Sequence, residues 1–179
     1  GTAASVTFYY SNTGLSSISQ ALNSWYGNNL TSYDNYIYKD SIFFSDIKNS
    51  SSSFLAPSST TLPTFSNKQL YFGARYRLTR KKQPTFLIAN EDKHTSTVST
   101  IGNKVLTYPV GLITMDEAYY AGGFSSDNTS YYLNSGVDYW TMSPYEYVKV
   151  GSSDVLHDAK ITYITSSGKI SSGNSNTSY

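Results

Sequence analysis

The sequence predicts an α+β domain: two or three short helices packed on mixed, largely antiparallel β-sheets with long loops. Three observations carry that expectation. Leu70, Phe72, Ala74, Tyr76 and Leu78 alternate with Tyr71, Gly73, Arg75, Arg77 and Thr79, the period of a strand with one face in the core and the other bearing charge. Thr114 and Glu117 stand three apart ahead of a run closed by Gly122-Gly123, the spacing of a capping box and a glycine stop. Ser17 and Gln20 repeat the box before Ile18, Ala21, Leu22 and Trp25 at helical spacing, with Gly27 placed to supply a left-handed stop.

The remaining elements follow in order. Val6–Tyr10 is a β-branched and aromatic run that reads as a strand, turned by Asn12-Thr13-Gly14. After the first helix, a second short one around Ser32–Tyr38 places Tyr33, Tyr36 and Ile37 on one side, and Ser41–Phe44 is a buried strand. Residues 48–67 are Ser/Thr/Pro-rich without periodicity and predict a long surface loop. Phe86–Ala89 reads as a buried strand and Val105-Leu106 as the start of another. Val137–Met142 predicts a core strand around Trp140, broken by Ser143-Pro144. Ala159–Thr165 alternates Ile161, Tyr163 and Thr165, and Ser167-Gly168 turns the chain into Ile170. Residues 171–179 are Ser/Gly/Asn-rich and predict a frayed tail. With no internal repeat or linker, residues 1–179 are expected to form a single domain.

Composition narrows the function classes. Charged residues make up 14% of the chain, against about a quarter in an ordinary soluble domain, and Tyr occurs 18 times. Tyr offers apolar area and a hydroxyl at low entropic cost, which suits exposed sheets and binding faces. A net charge of +1 provides no broad basic field for nucleic acid. The absence of Cys excludes a disulfide framework, a thiol nucleophile and a Cys metal site. No stretch approaches the ~20 apolar residues of a membrane span. The chain opens Gly1-Thr2, as expected if an export signal has been removed, and its low charge suits a secreted or surface protein.

No catalytic constellation emerges from the residues. His94 and His157 lack metal-ligand spacing and read as surface or loop histidines. Glu91-Asp92 and Asp116-Glu117 are adjacent pairs, whose members point in different directions, whereas a glycosidase needs two carboxylates facing across a cleft. Glu117 is explained by its capping box and Asp116 as a charge favouring the helix N-terminus. Arg75, Arg77, Arg80, Lys81 and Lys82 gather five of thirteen basic residues in eight positions, either to contact an acidic glycan or to guard a strand edge. Tyr119, Tyr120, Tyr131, Tyr132, Tyr139, Tyr145 and Tyr147 cluster along the chain around Asp116–Pro144 and form the favoured ligand-binding group, joined by Arg75 and Arg77.

Ordered along nearly the whole chain are Trp25-Tyr26, Asn29-Leu30, Tyr36-Ile37, Asp40–Phe43, Tyr108–Thr114, Asp116-Glu117, Ala121–Gly123, Asn128, Ser130–Leu133 and Tyr139–Pro144. In this order they resemble a family of cell-surface domains of gut Firmicutes and Mollicutes with a C-type-lectin-like fold, that of the formylglycine-generating-enzyme superfamily. Such domains are often attached to signal or prepilin-like N-termini. The resemblance implies a non-enzymatic, secreted or surface-attached bacterial adhesion module for a host or microbial glycan or protein. The formylglycine-generating enzymes use Cys, so that activity is not inherited here. Calcium, which lectin-type folds use for sugars, is left as an alternative through Glu91, Asp92, Asp127 and Asn128, although the Glu-Pro-Asn and Trp-Asn-Asp signatures are absent.

Two departures from the family stand out. Where members carry a Cys pair, this chain has Phe44 and, approximately, Ile88, which implies apolar packing in place of a crosslink. The usual final Gly-Val-Arg-Pro-Val-type strand is not found after Tyr179, so truncation, divergence or a strand supplied by another chain is expected. The last possibility makes a pilus-like filament subunit, joined to other copies of itself, the second hypothesis. A glycan hydrolase is the third.

Overall fold

The computed structural model describes residues 17–44, 46, 50–51, 69–78, 83–86, 93–98, 100, 106–123, 126–149 and 156–174. They form an α+β arrangement. Helix α1 (Ser17–Asn29) leads into a 3-10 helix (Thr31–Tyr36), and β1 (Phe43–Phe44) pairs antiparallel with β4 (Lys93–His94). The larger sheet is antiparallel, in the order β2 (Ser50–Ser51), β3 (Gln69–Phe72), β5 (Tyr139–Lys149), β6 (Leu156–Ile164), β7 (Ile170–Asn174). The meander β5–β6–β7 is its main body. A one-turn helix α2 (Gly73–Tyr76) follows β3, and α3 (Met115–Tyr120) packs on the meander. The expected strand at Val6–Tyr10, residues 87–89 of the one expected at Phe86–Ala89, and the 48–49 and 52–67 parts of the long loop lie outside the described residues; Phe86 itself is not in a strand.

Helix α3 forms where its local signals place it. The Thr114 hydroxyl accepts the Glu117 N–H at 3.2 Å and the Glu117 carboxylate accepts the Thr114 N–H at 2.6 Å, completing the capping box. At the other end Gly123 N–H donates to the Ala118 carbonyl and Gly122 N–H to Tyr119, a Schellman closure that needs the left-handed backbone of Gly122, φ 113°. The core it covers consists of Ala74, Met115, Ala118, Tyr131, Ile164 and Ile170.

Tertiary context overrides the sequence reading in four places. The period-two run stops being a strand at Phe72, because Gly73–Tyr76 coils into α2. That turn buries Ala74 in the core and swings Arg77 inward to its acidic partners, so the interior replaces an expected solvent face. Helix α1 runs past Gly27, which does not take positive φ. Asn29 Nδ2 donating to the Trp25 carbonyl and Thr31 Oγ1 to the Gly27 carbonyl close it instead. Among its described side chains Ser19 and Tyr26 are buried, and Trp25, expected in the core, is exposed. Residues 171–174 are paired in β7 rather than frayed, because Ser167-Gly168 makes the expected hairpin turn and β7 holds regular register with β6.

The fourth override is in β5, which continues through Ser143-Pro144 instead of breaking. Pairing with β6 shifts register on both sides of Pro144, and β3 reaches only Glu146, Tyr147 and Val148, so Pro144 sits where a missing N–H is tolerated. Hydroxyls serve the backbone groups freed by the irregularity. Ser143 N–H donates to Thr141 Oγ1, Thr162 Oγ1 donates to the Ser143 carbonyl, and Ser143 Oγ accepts the Met115 N–H of α3. The inward faces of β5 and β6 are therefore Thr141, Ser143, Thr162 and Ile164, while Trp140 and Tyr163 pair edge-on on the other side. Small hydroxyl residues allow the close approach of α3 that a Trp would block.

Candidate functional site

The exposed aromatic surface is built on α3. Asp116 and Tyr120 are four residues apart and so lie on one side of the helix, one turn above the other. Both hold the 83–86 strip. Asp116 Oδ1 accepts the Thr85 N–H at 2.7 Å, and the Tyr120 hydroxyl donates to the Pro84 carbonyl at 3.1 Å. Thr85 thereby presents its neighbour Phe86 to Tyr120, and the rings stack with centroids 4.5 Å apart and planes 18° apart. Phe86 stays 51% exposed and Tyr120 56%. Two fixed rings on the surface form a platform whose ordering cost has already been met by the fold.

Beneath the platform lies a buried charge cluster. Arg77 is 7% exposed, and Asp46 and Asp116 are fully buried. Arg77 Nε donates to Asp116 at 2.8 and 3.1 Å, and Nη2 donates to Asp116 Oδ2 at 2.6 Å and to Asp46 Oδ2 at 2.5 Å. Burial opposes the charged form of Arg77, but the two carboxylates win and push its pKa above the ordinary range. Asp116 is thus more than a charge at a helix end. It joins Arg77, α3 and the Thr85 strip.

A second aromatic surface covers the N-terminal helices. Tyr26 points inward, stacks on Tyr108 at 4.7 Å, and donates its hydroxyl to Asp34 at 2.7 Å. Burial first, then Asp34, push the Tyr26 phenol up to about 12. The Lys39 ammonium pairs with Asp34 and, with Tyr26, holds its carboxyl below the usual range. With Asp34 anchored inward, Tyr33 and Tyr36 project outward, three apart and so on one side of a 3-10 helix. Trp25, Tyr33, Tyr36 and Tyr38 are all exposed.

The seven tyrosines singled out in the sequence do not share one face. Tyr131 is buried in the core and Tyr119 packs against it. Tyr139 is half-buried; it donates to the Leu133 carbonyl at 2.8 Å and meets the Tyr131 hydroxyl at 3.1 Å, and burial and then Tyr131 raise its pKa strongly. Tyr120 belongs to the platform and Tyr132 is 93% exposed. Tyr145 is half-buried under the Arg75 guanidinium, 5.1 Å from the ring centroid. Tyr147 pairs with Leu70 and Ala159 within the sheet, its side chain outside the described residues.

The basic patch is likewise divided. Arg77 is internal, a correction to the expected surface residue, and Arg75 ion-pairs with Glu146, which also takes Lys160 Nζ at 2.6 Å. Arg80, Lys81 and Lys82 lie outside the described residues. His94, expected at the surface, is 2% exposed on β4 opposite Phe43. Asp127 accepts from Ser167 Oγ and Asn128 bonds the Gly122 carbonyl. Among the described residues no group of three or more His, Cys, Asp or Glu is placed to hold a metal ion. No described helix is long and apolar enough to cross a membrane.

Sequence reasoning missed Phe86 and Trp25, read as core, and gave Tyr33 and Tyr36 no functional weight. The spacing of three within the polar run Thr31–Tyr36 was the available signal, since nothing else there could form an apolar face. No family model matches the chain, and neither a curated protein nor a solved structure matches it.

Proposed function

We propose that this chain is a non-enzymatic binding module of a bacterial cell surface, with a C-type-lectin-like fold and a host or microbial glycan or protein as its ligand. The observation that carries the reading is the stacked, solvent-facing Phe86–Tyr120 pair, pinned through Pro84 and Thr85 to α3. Aromatic faces stack on sugar rings and anchor protein interfaces, and a pair already fixed in place loses little entropy on binding. The exposed Trp25, Tyr33, Tyr36 and Tyr38 supply a further contact region. The ordered motifs of the sequence and its low charge support the extracellular, adhesive part of the reading.

Glycan-array and surface-protein pull-down screens of the whole chain test it. Binding that falls at least tenfold in Phe86→Ala and Tyr120→Ala, with thermal unfolding little changed, is the expected result. Absence of any ligand across both screens, or binding indifferent to both substitutions, overturns it. The filament-subunit alternative draws on one observation. Strand β6 is paired on both sides within the chain, and β7, the sheet's last strand among the described residues, contains neither Pro nor a charged residue to guard its edge. Concentration-dependent assembly in sedimentation, lost on Ser172→Pro, supports that alternative. The hydrolase alternative draws nothing from Asp46 and Asp116, the carboxylates that converge on Arg77, because both are sealed in the core.

A further inference from the structure

Two carboxylates and one guanidinium leave an excess negative charge when all three groups are ionised, and the Asp46–Arg77–Asp116 cluster is buried. The two acids are not equivalent. Asp116 Oδ1 takes Arg77 Nε and the Thr85 N–H, and Oδ2 takes Arg77 Nε and Nη2. Asp46 Oδ2 takes Arg77 Nη2, but Oδ1 is buried and makes no hydrogen bond among the described residues. Its backbone is in the left-handed region, φ 52°, uncommon for a residue other than Gly. Among the described residues the groups facing Asp46 are Arg77 from the segment after α2, Asp116 from the first turn of α3 and Ser143 from β5, whose hydroxyl favours the charged form. A buried carboxylate that shares its guanidinium with a second acid is costly to keep charged, and a proton is the smallest ligand that cancels the excess charge.

We propose that this cluster is a proton-binding regulator of the Phe86–Tyr120 surface, in which Asp46 takes up one proton in a mildly acidic medium and tightens the 83–86 strip against α3. The inference rests on the reading of that surface as the binding face. Arg77 Nη2 is shared by the two acids. Once Asp46 is neutral, the guanidinium faces Asp116 as its single anion, and Asp116 is the residue that holds the Thr85 N–H. Local opening of the strip then no longer relieves an uncompensated charge. Burial, opposed by Arg77 and reinforced by Asp116, pushes the Asp46 carboxyl from 3.8 to about 6. A carboxyl raised on folding binds its proton more tightly in the folded state. Its stabilising contribution is therefore complete below about pH 3.8 and is lost as the pH rises through about 6.

The test compares the whole chain with Asp46→Asn, which carries the neutral form at every pH. Thermal unfolding and exchange of the Thr85 amide, corrected for its intrinsic rate, are followed from pH 7.5 to 4.5; neither readout requires a ligand. The expected result is that Asp46→Asn unfolds at the higher temperature at pH 7.5 and that the gap closes by pH 4.5. Thr85 protection in the parent chain rises on the order of tenfold over that range relative to the variant. Parallel pH profiles for the two chains overturn the proposal. If Asp46→Asn does not fold, carbon-detected titration of the Asp46 carboxyl in the parent chain decides: a midpoint near 6 supports the site and one below 4 overturns it. Failure of the ligand screens leaves these readouts unchanged, so the two readings fail separately.

Discussion

Replacing Arg77 by Met is the most informative perturbation of the core, because it keeps the stem and removes the only cation seen among the described residues that reaches both Asp46 and Asp116. Its magnitude follows from the geometry. The guanidinium makes contacts of 2.5 to 3.1 Å to the two acids and is 7% exposed, so bulk water does not screen it. Opposite charges about 4 Å apart attract by about 4 kcal/mol at an effective dielectric of 20. Removing one member of a buried pair costs about 3–5 kcal/mol, since the partner is left charged and unpaired. For a domain of this size each kcal/mol moves Tm by roughly 2–4 °C, which gives a fall of about 6–20 °C. Circular dichroism with heat and with urea measures it. Adding Asp46→Asn to Arg77→Met should recover part of the loss, because one of the two stranded charges is gone. Arg77→Lys should not restore the parent, since an ammonium cannot reproduce the forked contact with Asp116. A loss below about 1 kcal/mol, the level of an exposed pair, refutes the placement of Arg77 in the core.

Other substitutions probe separate parts of the fold. Gly168→Ala would place a Cβ 1.9 Å from the Asn128 carbonyl oxygen at φ +79°; urea unfolding should show a loss of at least about 2 kcal/mol, because backbone would have to move. Thr114→Ala removes the cap of α3 and should cost about 1 kcal/mol by the same assay, with Thr114→Ser losing far less. Tyr139→Phe removes the donation to Leu133 and should cost about 1 kcal/mol; in alkaline ultraviolet titration it should also remove one tyrosine that ionises later than an ordinary phenol.

How legible each feature was depends on the range of the forces behind it. Helix α3 was readable in full, since Thr114, Glu117, Gly122 and Gly123 act on backbone groups within five residues. The Ser167-Gly168 hairpin was readable for the same reason, with Gly168 N–H returning to Thr165. The run from Leu70 to Thr79 misled because its alternation is genuine but the partners of Arg77 are not local: Asp46 lies 31 positions away and Asp116 39. Trp140 misled in another way. A Trp flanked by Thr and Tyr reads as the inward residue, yet the polar Thr141 and Ser143 turn inward because their hydroxyls serve the irregular backbone around Pro144.

The aromatic surfaces show the same division. Composition indicated an excess of tyrosine beyond what a core requires, but not which rings stay outside. Tyr119 and Tyr120 are chemically identical neighbours, and one helical step of about 100° sends the first against the core and the second to Phe86. Chain-local hydrogen bonding and residue excess were thus written in the sequence: where α3 begins and ends, where β6 turns, and that the chain is rich in rings and poor in charge. Tertiary structure alone decided that a strand-like run would coil to bury a guanidinium, which acids would share it, and which rings would remain exposed. The physical reason is that stranding a buried charge costs more than the weak local preference of its segment for one backbone shape, and the charge's partners come from distant parts of the chain.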